Sequence, residues 1–380
     1  APDCGDAALT TFAGAIAGGA NLSLDPAKST LDDIAVLQYT SGTTGVAKGV
    51  MLTQGNLLAG KRMGDETFGN DPAEIDIAIS PMPLYHIYGF AVHVISGVLK
   101  GSLSVLVPDP RNTDNLVDVM RRFPFTVFTG INTLFSSLML HPDFDSIDFS
   151  NARKVISGGT TLIEEVAREW QERTNSVIYE GYGLSETSAG GSVNTPQRRQ
   201  LGSVGIPLKY SEMRVVDEHG AVLGQGQRGE LQLRGPHVMA GYWQRPEATA
   251  DVLDDAGWLS TGDVAVMQDD GFVRIVDRLK DMIIGSGFNV YPTEVESVVY
   301  ALDDIRECAV VGVPDAHSGE AVKLFVASAN PTLTEQDIRQ HCQEQLAAYK
   351  VPKLIEFRDE LPKTPVGKVL RRELRESATT

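Results

Sequence analysis

The run Tyr39-Thr-Ser-Gly-Thr-Thr-Gly-Val-Ala-Lys-Gly-Val50 gathers three glycines, four aliphatic hydroxyls and one lysine. Backbone N–H groups, the hydroxyls of Ser41, Thr43 and Thr44, and the mobile ammonium of Lys48 form a donor set suited to a polyphosphate. Gly42, Gly45 and Gly49 allow close backbone approach. A P-loop needs its lysine directly after the second glycine, followed by Ser or Thr. Here Val46 follows Gly45 and Gly49 follows Lys48, so phosphate would be held by a different loop. Near the other end, Lys368 closes the turn-rich run Pro362-Lys-Thr-Pro-Val-Gly-Lys368. Such a loop can insert one long cation into a site; the alternative is a solvated basic tail running on through Arg371-Arg372. Glu186 is a lone carboxylate, ordinarily a surface group. Asp263 ends Ser260-Thr-Gly-Asp263 and can accept two hydrogen bonds from a diol, or serve a structural salt bridge with Arg278. His86 lies among apolar and aromatic neighbours in Pro83-Leu-Tyr-His-Ile-Tyr-Gly89, where a core histidine is the plain alternative. No nucleophilic triad stands out.

Elements of two textures must position these groups. Up to about residue 190, buried strand-like runs (75–80, 104–107, 126–128, 154–157, and Ile34 to Tyr39 before the loop) alternate with helical stretches at 115–123, 131–140 and 161–173. That alternation predicts α/β layers. From about 195 to 276, Gly, Pro and short β-type runs (212–217, 229–234, 271–276) predict a small barrel or meander. After residues 277–281, helices at 293–302 and 334–346 and strands at 307–313 and 322–327 predict a compact α+β unit. The expected fold class is therefore multidomain α/β. Its parts are 1–194, a β-barrel-like 195–276, a hinge at 277–281, and a C-terminal α+β unit at 282–380.

Net charge is -17 over 380 residues, which argues against nucleic acid as the main partner. Cys4, Cys308 and Cys342 make neither a metal spacing nor a disulfide framework and read as thiols of a reducing compartment. No apolar run approaches the ~20 residues of a membrane span. Phe12 to Ala20 has no basic flank and follows Asp3 and Asp6, so it reads as a short helix or loop rather than a signal segment.

The loop at 39–50, Tyr182-Gly-Leu-Ser-Glu-Thr187, Ser260-Thr-Gly-Asp263, Asp277-Arg-Leu-Lys-Asp281 and Pro365-Val-Gly-Lys-Val-Leu-Arg-Arg372 occur in one order. Together they resemble the acyl-adenylate-forming superfamily of acyl-CoA synthetases, peptide-synthetase adenylation domains and luciferases. The runs Phe128-Thr-Gly-Ile-Asn-Thr-Leu-Phe135, Gly285-Ser-Gly-Phe-Asn-Val-Tyr-Pro292 and Tyr349-Lys-Val-Pro-Lys353 resemble the bacterial long-chain fatty-acid–CoA ligases within it. Members usually carry well over a hundred residues before such a loop, which here begins at Tyr39. The expectation is a chain lacking the first part of its large domain.

The resemblance implies a two-step reaction on a fatty acid, long-chain favoured, the alternatives being a ligase for an aryl or medium-chain acid or a truncated nucleotide-binding fragment without turnover. A fatty-acid carboxylate attacks the α-phosphorus of ATP, giving acyl-AMP and pyrophosphate. The thiol of coenzyme A then attacks the acyl carbonyl, releasing AMP. Catalysis would be positioning and cations. The resemblance places Ser41, Thr43, Thr44 and Lys48 on the β- and γ-phosphates, with Gly42, Gly45 and Gly49 allowing the backbone close, and Glu186 with Thr40 on Mg2+. Tyr182, flanked by Gly181 and Gly183, would lie against adenine, with Ser185 near the α-phosphate. Gly158, Gly159 and Thr160 would form the edge past adenine and the acyl pocket. Asp263 would meet the ribose, Arg278 would be a second ribose or phosphate contact, and His86 would wall the acyl site. Lys368 would bridge carboxylate and α-phosphate, and Lys280 would be the hinge. The hinge would bring Gly285, Gly287 and Phe288 to the thioester site, Gly287 keeping the pantetheine channel open. The implied location is the cytoplasm. Peripheral membrane contact suits a fatty-acid substrate, yet no basic amphipathic helix supports it, and the sequence carries no mark of oligomeric state.

Overall fold

A computed structural model describes residues 11–20, 22–23, 28–40, 47–69, 75–285, 287–302, 305–315, 317–364 and 367–378. The expected residues Ser41, Gly42, Thr43, Thr44 and Gly45 lie outside the described residues.

A seven-stranded sheet dominates the first half, in the order Leu103–Leu106, Ile77–Ser80, Val127–Gly130, Lys154–Gly158, Ile178–Tyr182, Ser192–Val193, Ile206–Pro207. Its first five strands are parallel and its last two antiparallel. Parallel neighbours need long crossovers. The helices Thr113–Arg122, Asn132–Met139 and Glu164–Thr174 supply them. These helices share a core with one face of the sheet, through Ile79, Phe128 and Val155. There Trp170 is fully buried, its ring 5.1–6.1 Å from those of Phe128, Phe135, Phe144 and Phe149. Its indole N–H donates to Ser176 at 2.9 Å. Strand side chains alternate in direction, so Ala78, Val127, Lys154, Ile156 and Gly158 face the other way, into a cavity. The helix Gln54–Phe68 and the helical stretch from Ile87 to Lys100 also line that cavity.

The strand Ile34–Thr40 pairs antiparallel with Lys48–Thr53, Thr40 opposite Lys48, so both ends of the 39–50 run are held in one hairpin. Gly241–Tyr242 adds a third strand beside it. Thr53 then starts the helix with a capping box. Its hydroxyl accepts from Asn56 N at 3.1 Å and the Asn56 side chain accepts from Thr53 N at 3.0 Å, an arrangement worth about 1 kcal/mol.

The expected barrel or meander is a four-stranded antiparallel sheet, Glu212–Val216, Arg228–Arg234, Leu259–Met267, Val273–Arg278, with no pairing between its first and last strands among the described residues. The C-terminal sheet joins Phe288–Val290, Ile283–Gly285, Gly319–Ser328 and Ile305–Asp315, with Leu354–Phe357 parallel to Gly319–Ser328. The helices Pro292–Tyr300 and Glu335–Gln345 share one of its cores; Leu361 and Leu374 belong to the other.

Candidate active site

The cavity holds about 940 Å³, a size suited to small ligands. It opens where the parallel strands end, the place α/β sheets reserve for ligands. Thr40, Lys48, His86, Gly158, Gly159, Thr160, Gly181, Tyr182, Gly183, Ser185, Glu186, Arg278, Lys280 and Lys368 all line it. These residues span 329 positions of sequence (368 minus 40, inclusive) yet share one enclosure.

Backbone shape accounts for the glycines. Gly158 and Gly181 are register partners on adjacent strands. A Cβ on Gly183 would stand 2.2 Å from the carbonyl oxygen of Ala189, so no other residue fits there. Ser188 and Ala189 adopt φ of 51° and 69°, a conformation L-residues rarely take. The turn Ser185–Thr187 is fastened by the Thr187 hydroxyl, which accepts from Leu184 N at 2.9 Å.

Glu186 accepts from the Tyr242 hydroxyl at 2.7 Å. The Lys48 ammonium sits over the ring of the same tyrosine, 4.8 Å from its centroid, a cation–π distance. Burial, then the Glu186 charge, pushes the Tyr242 phenol far above its ordinary range. Tyr242 therefore joins the hairpin lysine to the turn carboxylate. The sequence reading missed it, and only a pairing of Gly241–Tyr242 with Met51 and Val50 would have found it.

Asp263 is 2% exposed and lies behind the cavity wall. The Tyr182 hydroxyl donates to its Oδ2 at 2.5 Å and Arg278 Nε lies 2.8 Å from Oδ1. Asp263 and Arg278 are opposite each other across paired strands. Burial and the adjacent Asp263 raise the Tyr182 phenol well above its normal value. Of the two readings of Asp263, the structure shows the ion pair. It makes the structural ion pair, and a carboxylate has lone pairs left for further donors.

His86 caps the short helix Ile87–Gly89, its Nδ1 accepting from Tyr88 N at 3.2 Å. That contact leaves Nε2 as the N–H of a neutral ring. Burial, then the nearby Lys368 cation, lowers its pKa. His86 is thus a wall group and donor.

Lys368 is carried by a tight turn. Thr364 N donates to Lys368 O at 2.8 Å, Gly367 N to Thr364 O at 2.8 Å, and Lys368 N to the Thr364 hydroxyl at 3.1 Å. Gly367 has φ 79°, and a Cβ there would stand 2.7 Å from Ile131 Cδ1. The turn therefore rests on the sheet-bearing half. Lys368 remains open to solvent inside the cavity while protein surrounds it on most sides. Desolvation, then the Arg278 charge, brings its pKa down to about 8. Lys280, in the turn Leu279–Asp281, is lowered by the same two causes.

The basic run after Lys368 is not a solvated tail throughout. It forms the helix Arg371–Ala378. Arg371 Nη2 lies 2.7 Å from both oxygens of Glu296, and Arg375 donates to buried Asp281 at 2.8 Å. Arg372 does point outward. The helix thereby ties the Lys368 turn to residue 281.

The residues expected at a thioester site are elsewhere. Gly285, Gly287 and Phe288 are not among the cavity walls. A Cβ on Gly287 would meet nothing within 4 Å, while its φ is 80°. Here glycine is required by backbone conformation, rather than by the space a side chain would fill. Phe288 stacks on Tyr349 with centroids 4.7 Å apart.

Residues 6–243 match the AMP-binding enzyme family, and residues 294–368 match the AMP-binding enzyme C-terminal domain. The chain belongs to the AMP-binding enzyme family. It is 47% identical to the long-chain-fatty-acid–CoA ligase of Escherichia coli O157:H7 over 350 residues, 91% of this chain and 62% of that protein. It therefore spans somewhat under two thirds of that relative's length. Among solved structures it resembles ATP-bound MatB from Rhodopseudomonas palustris with a TM-score of 0.86, 33% identity, and 93% and 70% coverage of the two chains. Apo MatB, at the same identity and coverage, gives 0.73. The chain therefore shares the arrangement of AMP-binding enzymes, and more closely that of an ATP-bound one.

Proposed function

We propose that this protein converts a fatty acid, long-chain by its likeness to the ligases, into acyl-AMP and passes the acyl group to coenzyme A. The observation that carries the reading is Lys368. A turn from the C-terminal part brings its ammonium into the cavity that holds Lys48, Glu186, Tyr182 and His86. One oxygen of the carboxylate attacks the α-phosphorus and the bond to the β-phosphate bridging oxygen breaks, so pyrophosphate leaves. Lys368 spans the attacking carboxylate and the α-phosphate, offsetting the repulsion that opposes their approach. Lys48 and the 39–50 run hold the departing phosphates. Asp263 receives ribose hydroxyls while Tyr182 and Arg278 fix its orientation. The His86 N–H lies at the acyl side; a carboxylate nucleophile has no proton to remove at neutral pH. In the second step the coenzyme A sulfur attacks the acyl carbonyl, AMP leaves, and the thiol proton passes to solvent.

Glu186 and Thr40 would hold Mg2+. The site fits a hard cation that takes one or two protein oxygens and fills its shell from phosphate and water: a single carboxylate faces the cavity there, steadied by the Tyr242 hydroxyl. When bound, the ion would neutralise phosphate charge.

Residues 277–281 serve as the hinge in this reading, with Lys280 its pivot. The greater likeness to ATP-bound than to apo MatB supports the present pose as the adenylating one. The position of Gly285, Gly287 and Phe288 away from the cavity supports a second pose for thioester formation. No helix among the described residues is long and apolar enough to cross a membrane.

The test is product identity. With fatty acid, ATP, Mg2+ and coenzyme A, the protein should release AMP and pyrophosphate in step with acyl-CoA. Release of ADP and phosphate, or nucleotide turnover indifferent to the acid, would refute the proposal.

A further inference from the structure

The helical stretch from Ile87 to Lys100 changes register midway. Its middle, Phe90–Ile95, is a π turn, in which the Ser96 N–H donates to the carbonyl oxygen of Ala91, five residues back. Such turns are rare inside helices and recur at functional sites. An α-helix continued from Tyr88, Ala91 and Val92 would carry Ile95 and Leu99 on the same face, at steps of three and four. The wider turn holds back everything after it by about one residue, roughly 100° of rotation. The cavity wall therefore continues from Tyr88, Ala91 and Val92 to Ser96, Gly97 and Lys100, and Ile95 and Leu99 have no part in it. Val98 and Leu99 are turned outward, 77% and 55% exposed.

The turn is fastened to the sheet at residue 93. The His93 side chain is buried, and its Nε2 lies 2.7 Å from the hydroxyl of Thr129 on the strand Val127–Gly130. Its Nδ1 has no partner among the described residues, a cost that buried polar atoms rarely carry. Burial brings the ring's pKa down to about 4, so it is neutral near pH 7. From the strand Leu103–Leu106, the Ser104 hydroxyl donates to the carbonyl oxygen of His93 at 3.1 Å. Gly97 lets the helix lie close to that strand, since a Cβ there would stand 3.0 Å from Ser104 Oγ. The Ser96 hydroxyl donates at 3.3 Å to the same Ala91 carbonyl that the π turn uses. Ring and carbonyl of one residue are thus held by two strands.

Ser96 and Gly97 are small and leave open the space that branched Ile95 and Leu99 would occupy in the α register. We infer that the bond between His93 and Thr129 pins the helix in the π register and so gives the channel its room for long acyl chains. Neither residue lines the cavity, so both are positioning residues for chain-length preference. This deepens the adenylation reading and rests on it for the use of the cavity by an acyl chain.

The experiment measures acid-dependent exchange of labelled pyrophosphate into ATP with tetradecanoate and with octanoate. Thr129→Val deletes the hydroxyl and keeps the shape. In it the ratio of kcat/KM for the two acids should fall about tenfold or more toward octanoate, the cost of keeping two methylenes out of an apolar wall. The KM for ATP should not move. Thr129→Ser keeps the hydroxyl and should keep the ratio. His93→Leu should repeat the fall. Deleting Val94 in that variant should reverse it, because with one residue fewer plain α turns bring Ser96 and Gly97 back to the wall. A ratio that Thr129→Val leaves unchanged would overturn the inference, as would equal losses with both acids or a folded deletion variant that regains nothing. Should His93→Leu not fold, the two Thr129 variants decide alone. If the unaltered protein exchanges with neither acid, adenylation fails, and calorimetric binding of the two acids decides the register. The inference then stands if Thr129→Val weakens tetradecanoate about tenfold more than octanoate, and falls if both change alike.

Discussion

The two ends of one cavity are built by different means. At the carboxyl ends of the strands, Glu186 is paired with Tyr242 and Asp263 with Tyr182 and Arg278, each across elements, while His86 accepts from the backbone of Tyr88 two residues on. Those partners fix orientation. At the amino ends, Lys100, Lys154 and Arg153 surround Asp76, and Lys61 pairs with Asp65. The first end is arranged for positioning, whereas at the second the charges pair with one another. A reaction that joins two anions needs the former, since misplacement by an ångström costs far more than a missing charge at a distance.

The comparison breaks most readily at Lys368. Replacing it with alanine should lower adenylation by about 10²–10³, the usual loss for one aimed electrostatic group. Thioester formation from supplied acyl-AMP should largely survive. Equal losses in both half-reactions would remove the distinction between a loop cation that acts in one pose and a fixed wall. Next is Asp263→Asn, which keeps shape and deletes charge. It should raise the KM for ATP by roughly tenfold to a hundredfold, as a lost charge-assisted hydrogen bond does. An unchanged KM would leave Asp263 as the structural half of an ion pair.

The pH profile sharpens the contrast further. Lys368 must be protonated to act, and its pKa stands at about 8. The kcat/KM for ATP, which reports the free enzyme, should be level near neutrality. It should then fall about tenfold per pH unit above that value. Lys368→Arg keeps a cation at high pH, so its alkaline limb should move upward; a limb in the same place would assign it to another group. The smallest effect belongs to Tyr242→Phe. Loss of the hydroxyl that steadies Glu186 should reduce turnover about fivefold to tenfold, with the drop eased by raised Mg2+. A drop indifferent to Mg2+ would separate Glu186 from the metal role.

Legibility in the sequence follows the same division. The groups proposed to act on the nucleotide lie in short runs of glycine, hydroxyl and charge, because a turn must present them together. Those runs could be read directly. The alternation of buried strands and helices was readable too: the expected strand at 154–157 and helix at 161–173 appear as Lys154–Gly158 and Glu164–Thr174. What could not be read depends on tertiary pairing. Tyr242 reaches Glu186 only because Gly241–Tyr242 pairs with the hairpin. Lys61, Asp76, Lys100 and Lys154 are scattered over two helices and the starts of two strands, and each alone looks like a surface charge. Helix Arg371–Ala378 was obscured because its arginines read as solvated, whereas Arg371 and Arg375 are spent on Glu296 and Asp281. The helix Gln54–Phe68 did carry a local signal, Thr53 three residues before Asn56, which went unused.

The most direct test of the account is exchange of labelled pyrophosphate into ATP by the protein, with and without fatty acid, coenzyme A being absent. The account predicts exchange that requires the acid and Mg2+ and proceeds without coenzyme A, because acyl-AMP forms before the thiol is needed. Exchange that is absent with every acid tried, or that appears only when coenzyme A is added, would contradict it.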